Sequence, residues 1–188
     1  MENRYPVILQ NGVRRGAIMG ALFILLSLIY YIADFNMMNM LFGIVNFLVI
    51  IALYIAFLLW ANKDVRNKKL NGWLTYPEGL LHAFIIGLVS AIISSAYNYL
   101  FYKFFDPEYL TQIGEKAIEM IENNPNIPQE ALQEAERRIS EMTPAKTALK
   151  GFYFNAAMSF IFALIVSIFT KKKQEDFTEA ESFSSDEA

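Results

Sequence analysis

Cysteine is absent from the chain, and histidine occurs once, as His82. The first absence excludes disulfides and thiolate chemistry and leaves the redox compartment unread. The second excludes a multi-histidine metal site. Also missing are the short motifs that carry chemistry: there is no phosphate-binding loop, no G-x-S-x-G elbow, no H-E-x-x-H pair and no dinucleotide fingerprint. Charged residues make up 19% of the chain and apolar residues 55%, against about 25% and about 45–50% in ordinary soluble domains. The net charge of −3 hides how unevenly the charges lie. Connectors hold nearly all of them.

What is there is a set of long apolar runs. The clearest follows the turn-rich loop from Asn71 and is free of Lys, Arg, Asp and Glu from Gly79 to Tyr102. A helical span needs roughly 20 apolar residues at about 1.5 Å each. Four runs meet that length: 16–33, 40–61, 79–102 and 147–170. Trp60 falls where interfacial aromatics belong. The first run follows Arg14 and Arg15 as a signal peptide's would, yet it is long, lacks a small-x-small cleavage site and is followed by further spans, so it reads as a retained anchor.

Basic residues set the orientation. Arg4, Arg14 and Arg15 precede the first run; Lys63, Arg66, Lys68 and Lys69 lie in the second connector; Lys171, Lys172 and Lys173 follow the last run. The first connector, 34–39, has none. Under the positive-inside rule both termini and the second connector are cytoplasmic. An even number of spans satisfies this independently. The expected location is a bacterial inner membrane, crossed four times.

Between the third and fourth runs lies a hydrophilic insert, 103–146, which this topology places outside. Asp106-Pro107 reads as N-cap and first helical residue, and Asn126 with Pro128 repeats the signal. Leu110, Ile113, Ala117 and Ile121 form one apolar stripe; Leu132, Ala135, Ile139 and Met142 form another. Seven glutamates, among them Glu115, Glu119, Glu122 and Glu134, make the opposite faces acidic. Thr143-Pro144 reads as the cap of the helix that becomes the last span. The expected fold class is an all-α membrane protein: four transmembrane helices in a bundle, with a two-helix amphipathic extramembrane insert between spans three and four. Residues 1–173 form the membrane domain, and 174–188 form an acidic, disordered cytoplasmic tail.

The stretch NGWLTYPEGLLHAFIIGLVSAIISSAYNYLFYKFFDPEYL, with Thr143-Pro144 before the last span, resembles the bacterial membrane family known as domain of unknown function 4199. The most specific parts are the loop entering span three and its tyrosine-rich end running into Asp106-Pro107-Glu108. The resemblance covers roughly 11–173 and leaves out the acidic tail. It implies a four-helix integral membrane protein with a hydrophilic segment between spans three and four. It implies no activity, cofactor or catalytic residue.

Two patterns inside the spans invite a site. Small residues recur four apart: Gly12, Gly16 and Gly20; Ala83, Gly87, Ala91 and Ser95; Gly151, Asn155, Ser159, Ala163 and Ser167. Such rows let helices approach closely, within one bundle or across a homo-oligomer interface. Span two has no row and is expected to face lipid most. Asn46, Asn98 and Asn155 share a depth of roughly 8–12 Å below the outer interface at about 1.5 Å per residue, with Asp34 and Tyr102 near them. Polar groups in hydrocarbon must find partners. The layer reads as an interhelical clamp or as an outward-facing polar pocket. His82 and Glu78, at the cytoplasmic start of span three, read as an interfacial residue and a first-turn acid; a pH-sensing histidine is the alternative.

No charged residue lies at mid-membrane depth, which counts against ion-coupled pumps. The outer glutamates lack the spacing of a calcium loop and read as a solvated face, with weak metal binding as the alternative. No catalytic, cofactor or metal residue is expected, nor any nucleic-acid partner. The expectation is a non-enzymatic accessory or scaffold subunit in the bilayer, meeting membrane or periplasmic proteins through 104–146. A small-molecule permease or sensor using the polar layer is the alternative.

Overall fold

The computed structural model describes residues 4–33, 40–124 and 127–172, with the backbone alone for 40–42. The first connector with Asp34, the centre of the insert's loop, Lys173 and the acidic tail lie outside the described residues. Six α-helices are described: α1 Tyr5–Ile32, α2 Met40–Lys69, α3 Tyr76–Leu100, α4 Tyr109–Glu122, α5 Gln129–Ser140 and α6 Pro144–Thr170. Four of the described helices, α1, α2, α3 and α6, are long and apolar enough to cross a membrane. α4 and α5, with 14 and 12 residues, are too short to do so.

Three of the long helices outrun their apolar cores. α1 begins at Tyr5 where a polar lead is expected up to Arg15, and α2 continues past Ala61 to Lys69. α6 starts at Pro144, capped by the Thr143 hydroxyl, which accepts from the Lys146 N–H at 3.3 Å. Hydropathy reports the thickness of hydrocarbon, whereas Arg, Lys and Asn carry a helix onward at little cost. Asn71 and Gly72, with φ of 54° and 84°, then reverse the chain after α2. Glycine and asparagine enter that left-handed region most cheaply. Leu74 and Lys172 exchange two backbone hydrogen bonds, of 2.9 and 2.8 Å, which pin the end of α6 to this turn.

α3 is the axle, packed on one side by α1 and on the other by α6. Its contact with α1 exists because Gly12, Gly16 and Gly20 carry no side chain. A Cβ at Gly16 would lie 2.7 Å from the Ile86 carbonyl oxygen and 2.7 Å from Val89 Cβ, and one at Gly20 would lie 3.0 Å from Ile93 Cβ. Toward α6, Ala83, Gly87 and Ala91 are buried, as are Ser159 and Ala163. The space of a missing Gly87 side chain is taken by Ser159 and the Tyr54 hydroxyl. Ser95 donates to the Ala148 carbonyl at 2.6 Å. Gly151 differs from the others: a Cβ there meets nothing within 4 Å. α2 is the least covered of the four long helices, with 11% of its apolar window buried. Met19, Leu58, Ile86, Ala163 and Val166 form the apolar core between these helices.

α3 ends in a π-helical turn, Phe101–Phe105. The expected Asp106 cap is not used. α4 begins at Tyr109, after Glu108, and the Asp106 carboxylate is turned instead to α1, where its Oδ2 accepts the Tyr31 hydroxyl at 3.0 Å. Tyr31 meets Phe101 edge-on at 5.1 Å and Tyr109 at 5.5 Å, seating the start of α4 on the ends of α1 and α3. α4 and α5 then pack on each other at Gly114, where a Cβ would lie 2.5 Å from Ile139 Cγ2.

Candidate functional site

The expected layer of asparagines divides. Asn98 and Asn155 both line a cavity of about 240 Å³ between α1, α2, α3 and α6, together with Ser27, Tyr54, Ser90 and Ser159. Asn46 does not line it; its Oδ1 accepts the Tyr30 hydroxyl, joining α1 to α2. Tyr102 sits in the aromatic cluster, stacked on Tyr109 at 6.2 Å. Asp34 lies outside the described residues.

The cavity's polarity is built from α-helical spacing. Ser90, Ser94 and Asn98 recur every four residues of α3 and so share a face. Opposite them, Ser159 donates to the Asn155 carbonyl at 2.6 Å, which spends its only proton. Tyr54 must therefore be the donor in its 2.5 Å hydrogen bond to Ser159 Oγ. That bond tethers α2 to α6 at the cavity wall. No hydrogen bond among the described residues engages the carboxamide of Asn98 or Asn155. Asn98 is half-buried and Asn155 exposed. The lining offers hydroxyls and amides, with no carboxylate, imidazole or amine.

A second polar constellation lies near the other end of α3. His82, expected at the membrane interface, is wholly buried within the protein, as are Asn62 and Thr170. Its Nδ1 is 2.7 Å from Asn62 Oδ1 and its Nε2 is 3.0 Å from Asn11 Oδ1. Asn62 Nδ2 donates to the Gly79 carbonyl at 3.2 Å and to Thr170 Oγ1 at 3.0 Å. The Thr170 hydroxyl in turn donates to the Val166 carbonyl at 3.0 Å. Residues of α1 and α2 thus meet at the imidazole of α3, and Thr170 of α6 joins them through Asn62.

Charged residues ring this junction. Asp64 binds Arg15 at 2.5 Å and Lys68 at 2.6 Å, and the Arg15 guanidinium lies 4.3 Å from the Trp60 ring centroid. Arg4 lies 3.4 Å over the Trp73 ring, donates to the Trp73 carbonyl at 2.6 Å and pairs with Glu78 at 3.2 Å. Glu78 also accepts the Thr75 N–H at 2.9 Å, so its first-turn position closes the start of α3. Arg66 reaches the last carbonyl of α6, Thr170 O, at 3.0 Å. Sequence reading missed the junction because hydropathy assigns Asn11 to a lead and Asn62 to a connector. The available signal was spacing: Glu78 and His82 lie one turn apart at the start of α3.

Among the described residues no three or more His, Asp or Glu side chains gather to hold a metal ion. Two of the insert's carboxylates are paired locally: Glu134 with Arg137 at 2.9 Å and with Arg138 at 2.7 Å, and Glu141 with Arg137 at 3.0 Å.

With this geometry in place, the chain can be assigned. It matches over residues 14–172 the family described as "Protein of unknown function (DUF4199)". It belongs to that family. No curated protein and no solved structure matches it.

Proposed function

We propose that this chain is a four-span, non-enzymatic inner-membrane protein that binds a small uncharged polar molecule in the cavity of Asn98 and Asn155. Charge supports the orientation. Basic residues gather at the start of α1, at the α2–α3 turn and after α6, while 34–39 has none, which favours cytoplasmic termini. α4 and α5 then form an extramembrane insert, and the cavity opens into the outer half of the bundle.

The observation that carries the reading is the pair of carboxamides that line the cavity with no hydrogen-bond partner among the described residues. Both carboxamides keep their donors and acceptors open to whatever enters the cavity, water or a small polar solute. Hydroxyls and amides recognise polyols, amides or water; without an ionisable base beside them they favour binding over acid–base chemistry. At about 240 Å³ the space falls below the ~300–1,000 Å³ of drug-sized sites. The occupant is therefore small, whether the protein senses it or passes it on.

Thermal unfolding of the purified protein with glycerol or acetamide tests this. At least one probe is expected to raise the midpoint of the wild type. Asn98→Leu should fold with an unchanged midpoint and lose that increase. If no neutral solute shifts the wild type, or if Asn98→Leu responds equally, the binding role is wrong.

An accessory or scaffold role finds separate support in the insert. Met120 and Met142 are 44% and 41% exposed beside acidic faces, a surface suited to another membrane or periplasmic protein. Loss of a native partner on deleting 104–146 would favour that role; its retention would count against the insert as the docking surface.

A further inference from the structure

We infer that His82 is a proton-binding site in which Nδ1 stays protonated, Nε2 gains and loses the proton, and the Asn11 carboxamide turns to follow it. The argument begins at Asn62, whose orientation is fixed by its neighbours. The Gly79 carbonyl can only accept, and the Thr170 hydroxyl has already given its proton to Val166 O. Both therefore require the Asn62 NH₂, which leaves Oδ1 facing His82 Nδ1 at 2.7 Å. A carboxamide oxygen only accepts, so Nδ1 must carry a hydrogen in either charge state of the ring.

Nε2 is then the atom free to titrate, and its partner is of a different kind. Asn11 is half-buried on the first turns of α1, and its hydrogen bond to His82 is 3.0 Å long. With Oδ1 toward the ring, as the structure has it, Asn11 receives an N–H from the imidazolium. A half-turn of the amide presents its NH₂ to the lone pair of a neutral ring. Neither state leaves a buried nitrogen unpaired, so one side-chain rotation adapts the site to the gain or loss of a proton.

The charged groups whose fields act on the ring are Arg15 from α1 and Asp64 from α2, bound to each other at 2.5 Å. α6 presents the hydroxyl of Thr170, and the Glu78 carboxylate of α3 is turned to Thr75 and Arg4. An ionisable residue within a spanning helix marks a functional position more often than a packing one. Because residues of all four long helices meet here, a proton at Nε2 is felt first by α1, the element that holds Asn11.

The single histidine makes the test direct. Full-length protein labelled with ¹⁵N-histidine yields the imidazole nitrogen signals of His82 alone, followed by NMR from about pH 8 to about pH 4. The neutral ring is expected as the Nδ1–H tautomer, with Nε2 alone changing on acidification. Asn11→Asp, an acceptor that cannot turn into a donor, should move the midpoint up by about one pH unit or more. Asn11→Leu, which removes the partner of the imidazolium, should move it down. A neutral Nε2–H tautomer, or one midpoint shared by wild type and both variants, overturns the inference. If a variant does not fold, the wild-type signals still decide it, because a ring that keeps one charge state throughout, or whose Nδ1 loses its hydrogen, overturns the inference.

Discussion

Gly16 and Gly151 are the same residue on two long helices, and only their neighbours distinguish them. A methyl at Gly16 meets the Ile86 carbonyl and Val89 Cβ, both at 2.7 Å; at Gly151 it meets nothing within 4 Å. Backbone at that distance cannot swing aside as a side-chain tip can. Gly16→Ala is expected to destabilise by about 1–3 kcal/mol, whereas Gly151→Ala should leave stability unchanged or raise it by up to about 1 kcal/mol, because alanine is the better helix former. Reversible unfolding in mixed detergent micelles measures both, and equal effects would refute the packing described. The i, i+4 rows were legible because that spacing belongs to any α-helix. Which member of a row touches a neighbour was not, since that depends on how each helix is rotated. The asparagines repeat the lesson: rise per residue gives depth, yet Asn46 and Asn98 point to different partners, Tyr30 and the cavity.

At the scale of an element, α5 has the least apolar support of the described helices, with no fully buried residue. Its order draws on Glu134, whose carboxyl is held down to about 2 from an ordinary 4.5 by hydrogen bonds from Arg137 and then Arg138. A depressed carboxyl contributes above its unfolded value and loses that contribution as pH falls through its folded value. α5 is therefore expected to keep this support above about pH 4.5 and to lose it progressively toward pH 2. Side-chain carboxyl NMR of Glu134 should show a midpoint near 2, and α5 helicity should decline over that window. A midpoint at 4.5 would mean that the two arginines do not hold it. The sequence announced α4 and α5 through their apolar stripes. It put the start of α4 at Pro107, two residues before Tyr109, because the Asp106-Pro107 signal is local, while the Asp106 side chain is turned to Tyr31 of α1, distant in sequence.

For the whole molecule, the four long helices were readable from charge-poor length alone, a property of composition that survives any detail of packing. The proposed orientation is checkable with equal economy, because the chain has no cysteine of its own. Single cysteines at the exposed positions Ser140 and Asn67 report opposite faces. In intact spheroplasts a membrane-impermeant maleimide should label Ser140→Cys and spare Asn67→Cys until the cells are lysed. The reverse pattern would invert the topology, and labelling of both sites before lysis would break it.

The partner of α1's glycine groove is α3, which leaves the ribosome two helices later. Gly20 and Ile93 stand 73 positions apart, 93 minus 20. At roughly 5–20 residues per second, about 4–15 s pass between their syntheses. Through that interval the nascent α1 displays an unfilled furrow to lipid, with only α2 at hand. The order of translation thus makes α1 the segment of the newborn chain most open to interception, and Ile86, Val89 and Ile93 the residues whose arrival ends it.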